Sequence, residues 1–80
     1  QLVPFESLLD TAMEIAHTIA SRSPIAVQKT KHMVRLAQSL PLDTALMVEN
    51  DSFAYLMMTE DAAEGRAAFA EKRDPEFKGR

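Results

Sequence analysis

The chain has 80 residues, 46% of them hydrophobic, a formal net charge of −3 and no cysteine. That length fits one small domain or part of a larger one, and a fold this size holds only about 4–12 kcal/mol of stability. Disulfides, thiolate metal sites and cysteine nucleophiles are excluded, no apolar run approaches the ~18 residues of a membrane span, and the acidic balance argues against nucleic acid. The expectation is a soluble intracellular protein, of the cytoplasm or an organelle matrix, with neither a membrane nor a nucleic acid as partner. Gln1 in place of Met suggests a processed or excised chain.

Phe5, Leu8, Leu9, Ala12, Ile15, Ala16, Ile19 and Ala20 recur at three- and four-residue spacing, which predicts an amphipathic helix over about 5–22. Pro4 suits its start, and Glu6, Asp10 and Arg22 match the helix dipole. Ser23-Pro24 reads as a cap followed by a first-turn proline, opening a second helix. Its apolar stripe is Ala26, Met33, Leu36, Ala37 and Leu40, and Pro41 predicts a stop near Ser39.

A third helix over about 42–58 is expected to bury Leu42, Ala45, Leu46, Phe53, Leu56 and Met57, with a bend or a partner-facing gap at the polar Glu49–Ser52. Thr59 is placed to cap a fourth helix over about 60–73, with Glu60 and Asp61 at its start and Lys72 and Arg73 at its end. Gly65 weakens that helix by about 1 kcal/mol relative to alanine, so close helix packing is expected there. Asp74-Pro75 ends the helix and releases an extended tail. The predicted fold is all-α: three to four short amphipathic helices and a tail, forming a single module over 1–80. Residues 23–40 carry +3 and residues 41–59 carry −3. That pattern suits complementary neighbouring helices or simply solvated faces.

Catalytic signatures are sparse. Gly65 and Gly79 are the only glycines, so there is no phosphate-cradling loop. His17 and His32 lack partners at metal-ligand spacing and read as surface residues. Glu60, Asp61 and Glu64 are the densest carboxylates, but a solvated helix start gives little reason for divergent pKa values. Dipole compensation is the simpler reading. Five methionines suit core packing or an adaptable interface. Lys72 and Arg73 read either as helix-end charges or as phosphate contacts. Phe53 reads either as part of the apolar stripe or as a face for ligand stacking.

The run Thr59–Arg80 resembles the C-terminus of the crotonase (enoyl-CoA hydratase/isomerase) family through Asp61, Glu64-Gly65, Ala68-Phe69, Glu71-Lys72-Arg73, Pro75, Phe77 and Gly79. Leu2-Val3-Pro4, Leu9, Ala12, Ala16, Ser23-Pro24-Ile25-Ala26-Val27 and Lys31 extend the resemblance along the chain. It implies a helical module that follows a spiral ββα catalytic core absent from these residues. In that core an oxyanion hole and paired carboxylates would act on an acyl-CoA thioester. No catalytic residue maps onto 1–80, and no metal or resident cofactor is expected, the CoA moiety belonging to the substrate. The implied role is oligomerisation and closing one edge of the CoA site, as part of a lyase or isomerase of fatty acid metabolism. Phe53 would lie beside the adenine and Lys72 near the CoA phosphates. The implied partners are the missing core, neighbouring subunits in a homo-oligomer or swapped assembly, and the acyl-CoA edge. The competing expectation is a helical interaction module that touches no CoA.

Overall fold

A computed structural model describes residues 1–80. It is 72% helical and has no strands. A 3-10 turn, Phe5–Ser7, leads into α1 (Leu8–Ala20), followed by α2 (Pro24–Ala37), α3 (Leu42–Met57) and α4 (Glu60–Glu71). Beyond α4 the chain runs without regular structure to Arg80.

Local chemistry sets most of these boundaries. Pro4 opens the 3-10 turn, and its carbonyl accepts the Ser7 N–H at 3.0 Å. The α-helix therefore begins at Leu8, three residues later than the apolar spacing predicts. The Ser23 hydroxyl accepts from the Ala26 N–H at 3.5 Å with Pro24 at the first helical position, as expected for α2. The Thr59 hydroxyl accepts the Ala62 N–H at 3.2 Å and donates to the Leu56 carbonyl at 2.7 Å. One side chain thus serves both the end of α3 and the start of α4. The polar stretch Glu49–Ser52 lies inside a continuous α3, without a bend.

α4 ends at Glu71, two residues short of the expected 73. Lys72 takes up left-handed backbone angles, φ 56° and ψ 45°. Its N–H donates to the Phe69 carbonyl at 3.3 Å, and the Arg73 N–H donates to the Ala68 carbonyl at 3.0 Å. Together these form the paired bonds of a Schellman turn. Glycine normally fills this position, because a side chain here is disfavoured by roughly 1–2 kcal/mol.

α2 packs on α3, and α3 on α4, while α1 makes its principal contact with the 3-10 turn before it. The result is a slab of 42 × 38 × 18 Å with a radius of gyration of 15.7 Å. A compact 80-residue domain has a radius near 12 Å. The accessible surface is 6721 Å², whereas a compact monomer of this mass exposes roughly 4,800 Å². Only Ser23, Ala45, Asp61 and Ala68 are buried.

The expected burial by α3 is therefore corrected. Ala45 is buried and Leu56 half-buried, but Leu42, Leu46, Phe53 and Met57 remain exposed. On α1 the whole apolar stripe, including Leu8, Leu9, Ile15 and Ile19, stands in solvent. The periodicity identifies a face, and nothing in these 80 residues covers it. Charge pairing also differs from one of its two readings. No ion pair links the basic α2 to the acidic α3; their charged contact is the Lys29 ammonium, 4.6 Å from the centre of the Tyr55 ring.

Candidate functional site

Two carboxylates on one face of α4 organise the chain's C-terminus. Asp61, in the first turn of α4, is 2% exposed. Its Oδ1 accepts the Lys78 N–H at 2.7 Å. Its Oδ2 accepts the Gly79 N–H at 2.8 Å and the Ser23 hydroxyl at 2.9 Å. Its own N–H donates to the Arg80 carbonyl at 2.8 Å. Burial pushes the carboxyl up, but the Lys78 N–H, the Ser23 hydroxyl, the Gly79 N–H and the Arg80 charge together hold it below its usual value.

One turn on, Glu64 receives both terminal nitrogens of Arg73, with the Nη2 contact at 3.1 Å, and the Glu76 N–H at 2.8 Å. The Arg73 hydrogen bonds, and then that of Glu76, lower its carboxyl to about 2. Arg80 closes a further pair with Glu60 at 2.7 Å. Reading Glu60, Asp61 and Glu64 as merely solvated dipole partners therefore misses a contact at each: Asp61 and Glu64 tie the tail to α4, and exposed Glu60 pairs with Arg80. The sequence signal was the spacing of three between Asp61 and Glu64, which puts both on one helix face, but the tail groups they hold lie 9–18 residues away.

Gly65 follows Glu64 on α4. A Cβ added there would meet Phe77 Cε1 at 3.7 Å and Cζ at 4.0 Å. The neighbour of Gly65 is thus the tail's aromatic ring, in place of the helix expected from the sequence.

The two residues singled out for ligand contact lie apart. Phe53, 62% exposed, borders an α2–α3 cleft of about 360 Å³ with Lys29, Met33 and Leu56. It also borders a mostly apolar cleft of about 270 Å³ that runs to Gly65 and Phe77. Lys72 is exposed at the turn after α4 and lines neither cleft. His17 and His32 are exposed, and no cluster of three or more His, Asp or Glu could hold a metal.

The geometry is thus an open helical slab with an exposed apolar stripe, an aromatic at two cleft mouths and a lysine in a left-handed turn. The chain belongs to the enoyl-CoA hydratase/isomerase family, matching it over residues 1–80. It is 40% identical over 77 residues to the 2,3-dehydroadipyl-CoA hydratase of Escherichia coli K12, covering 96% of this chain and 30% of that protein. It is 38% identical over 81 residues to the short-chain-enoyl-CoA hydratase of Clostridium acetobutylicum, covering 100% and 31%. Among solved structures, the enoyl-CoA hydratase of Bacillus anthracis superposes with a TM-score of 0.91 at 40% identity, covering 98% of this chain and 30% of that one. The chain thus spans about 30% of the length of the curated relatives it matches.

Proposed function

We propose that this chain is the C-terminal oligomerisation and CoA-edge module of an enzyme acting on acyl-CoA thioesters, whose catalytic core hydrates a 2-enoyl-CoA. The observation that carries the reading is the family match along residues 1–80, to relatives three times as long and named as CoA-ester hydratases. The open shape agrees with it. The surface beyond that of a compact monomer is roughly 1,900 Å² on this chain alone, more than the roughly 800 Å² that each partner of a standard interface buries.

In this reading the oxyanion-hole donors and paired carboxylates come from the core, and residues 1–80 supply the wall. The exposed ring of Phe53 offers a face to adenine, and the free ammonium of Lys72 offers charge to phosphate. Two measurements test this. The 80-residue chain alone should not hydrate crotonyl-CoA; measurable turnover would overturn the division of labour. In the enzyme carrying this segment, Lys72→Glu should raise KM for a CoA ester, and an unchanged KM would remove the CoA edge.

The second reading, an interaction module without CoA contact, is favoured by α1. Its exposed stripe of Leu8, Leu9, Ile15 and Ile19 lies on a helix that contributes to neither Phe53 cleft. Exposed apolar patches of this kind drive association. Titrating CoA while following resonances of Phe53 and Lys72 separates the readings. Shifts at those residues support the CoA edge, and silence there with self-association in sedimentation supports the interaction module.

A further inference from the structure

We propose that Glu64 and Arg73 are positioning residues that hold Lys72 in its left-handed conformation and so aim its ammonium at the phosphates of a CoA ester. The proposal rests on the CoA-edge reading above. Lys72 is the only non-glycine residue with positive φ. Glycine would make the same turn without strain. The lysine side chain does nothing to stabilise the turn, since its ammonium has neither an ion-pair nor a hydrogen-bond partner within the chain. A strained residue persists only where its surroundings over-determine it, and such residues gather at functional positions.

The surroundings here are specific. Upstream, the Schellman bonds from Lys72 and Arg73 fix the turn to Phe69 and Ala68. Downstream, the guanidinium of Arg73 is gripped by Glu64 through two nitrogens and also donates to the Asp74 carbonyl at 3.3 Å. The same Glu64 carboxylate takes the Glu76 N–H. Glu64, Arg73 and Glu76 therefore close a loop beside Lys72, leaving its backbone little freedom and its side chain projecting from a fixed Cα–Cβ direction without a partner in the chain. A planar guanidinium in a two-point contact fixes direction as well as distance, which a single lysine–carboxylate pair could not do.

The test uses the complete enzyme carrying this segment, with E64Q, K72M and the double variant. Each is assayed with crotonyl-CoA and with crotonyl-pantetheine, which lacks the nucleotide phosphates. K72M and E64Q should each raise KM for crotonyl-CoA about threefold to fivefold, the range of one exposed charge contact, with kcat within about twofold. The double variant should be no worse than K72M, and none of the three should move KM for crotonyl-pantetheine. If K72M raises KM while E64Q does not, or if the two effects multiply, Glu64 does not act through Lys72 and the proposal is overturned while the CoA edge stands. If K72M leaves KM unchanged, the CoA edge itself fails and takes the proposal with it. A crystal structure of E64Q provides a readout independent of kinetics: Lys72 should leave positive φ, and its retention there would overturn the positioning role even if KM rose.

Discussion

Replacing Gly65 with alanine is expected to stabilise the chain. Gly65 lies well inside α4, where glycine is less favourable than alanine by about 0.8–1.0 kcal/mol. The new Cβ would stand 3.7 and 4.0 Å from two carbons of the Phe77 ring, ordinary van der Waals separations that require no movement. Two such contacts add roughly 0.2–0.4 kcal/mol. The sum is about 1 kcal/mol, which in a domain of this size raises Tm by about 4–8 °C. Thermal unfolding followed by far-ultraviolet circular dichroism measures it directly, with urea unfolding as a second estimate. The same substitution in a Phe77→Ala background should keep the helix-propensity part and lose the ring contacts. A Tm that falls with G65A would refute the reasoning, because it would mean that something other than Phe77 approaches the glycine closely.

Three further outcomes are expected. Asp61 and Glu64 have folded-state pKa values below their unfolded ones, so the stability they contribute is present above the unfolded carboxylate range and is lost as pH falls through the folded values. For Glu64 that window runs from 4.5 down to about 2; the protection of the Glu76 amide, its exchange rate relative to an unstructured amide at the same pH, should fall within it in the parent chain and be lost already at neutral pH in Glu64→Ala, and equal protection in both would contradict the assignment. Thr59→Ala should cost about 1 kcal/mol by removing the α4 cap, and Ser23→Ala should cost more, because Ser23 also donates to buried Asp61; urea unfolding ranks the two, and the reverse order would refute the shared role of Ser23. Lys72→Gly should raise stability by up to about 1 kcal/mol by relieving the left-handed strain while raising KM for a CoA ester in the full enzyme, an opposition that a purely structural lysine would not produce.

The parts of the fold visible in the sequence are those whose causes are local. Ser23-Pro24 and Thr59 cap α2 and α4 where their chemistry predicts, because a cap needs only the residues three positions on. The all-α architecture follows from periodicity alone. The end of α4 was not legible, since a lysine in the position glycine usually takes gives no local stop signal and Asp74-Pro75 lies beyond the true end. Burial was least legible. Phe53, Met57 and the α1 stripe have the spacing of core residues, yet nothing in these 80 residues covers them. Asp61 shows the converse: it reads as an ordinary first-turn carboxylate and is among the most buried side chains, because its partners Ser23, Lys78 and Gly79 are distant in sequence. Phe53 and Lys72 stand out through their positions in the family resemblance, but the Glu64–Arg73 contacts beside Lys72 depend on the path of the tail.

The tail's attachment bears on how this segment can be edited. Chain ends usually tolerate trimming and substitution, but here the backbone of Lys78, Gly79 and Arg80 completes the hydrogen bonding at Asp61. Deleting those three residues would leave a buried carboxylate with only Ser23, so a short C-terminal truncation should damage the joint between α2 and α4 more than many internal changes. Substitutions that keep the backbone path should be far milder, since two of the three contacts to the Asp61 carboxylate come from main-chain N–H groups.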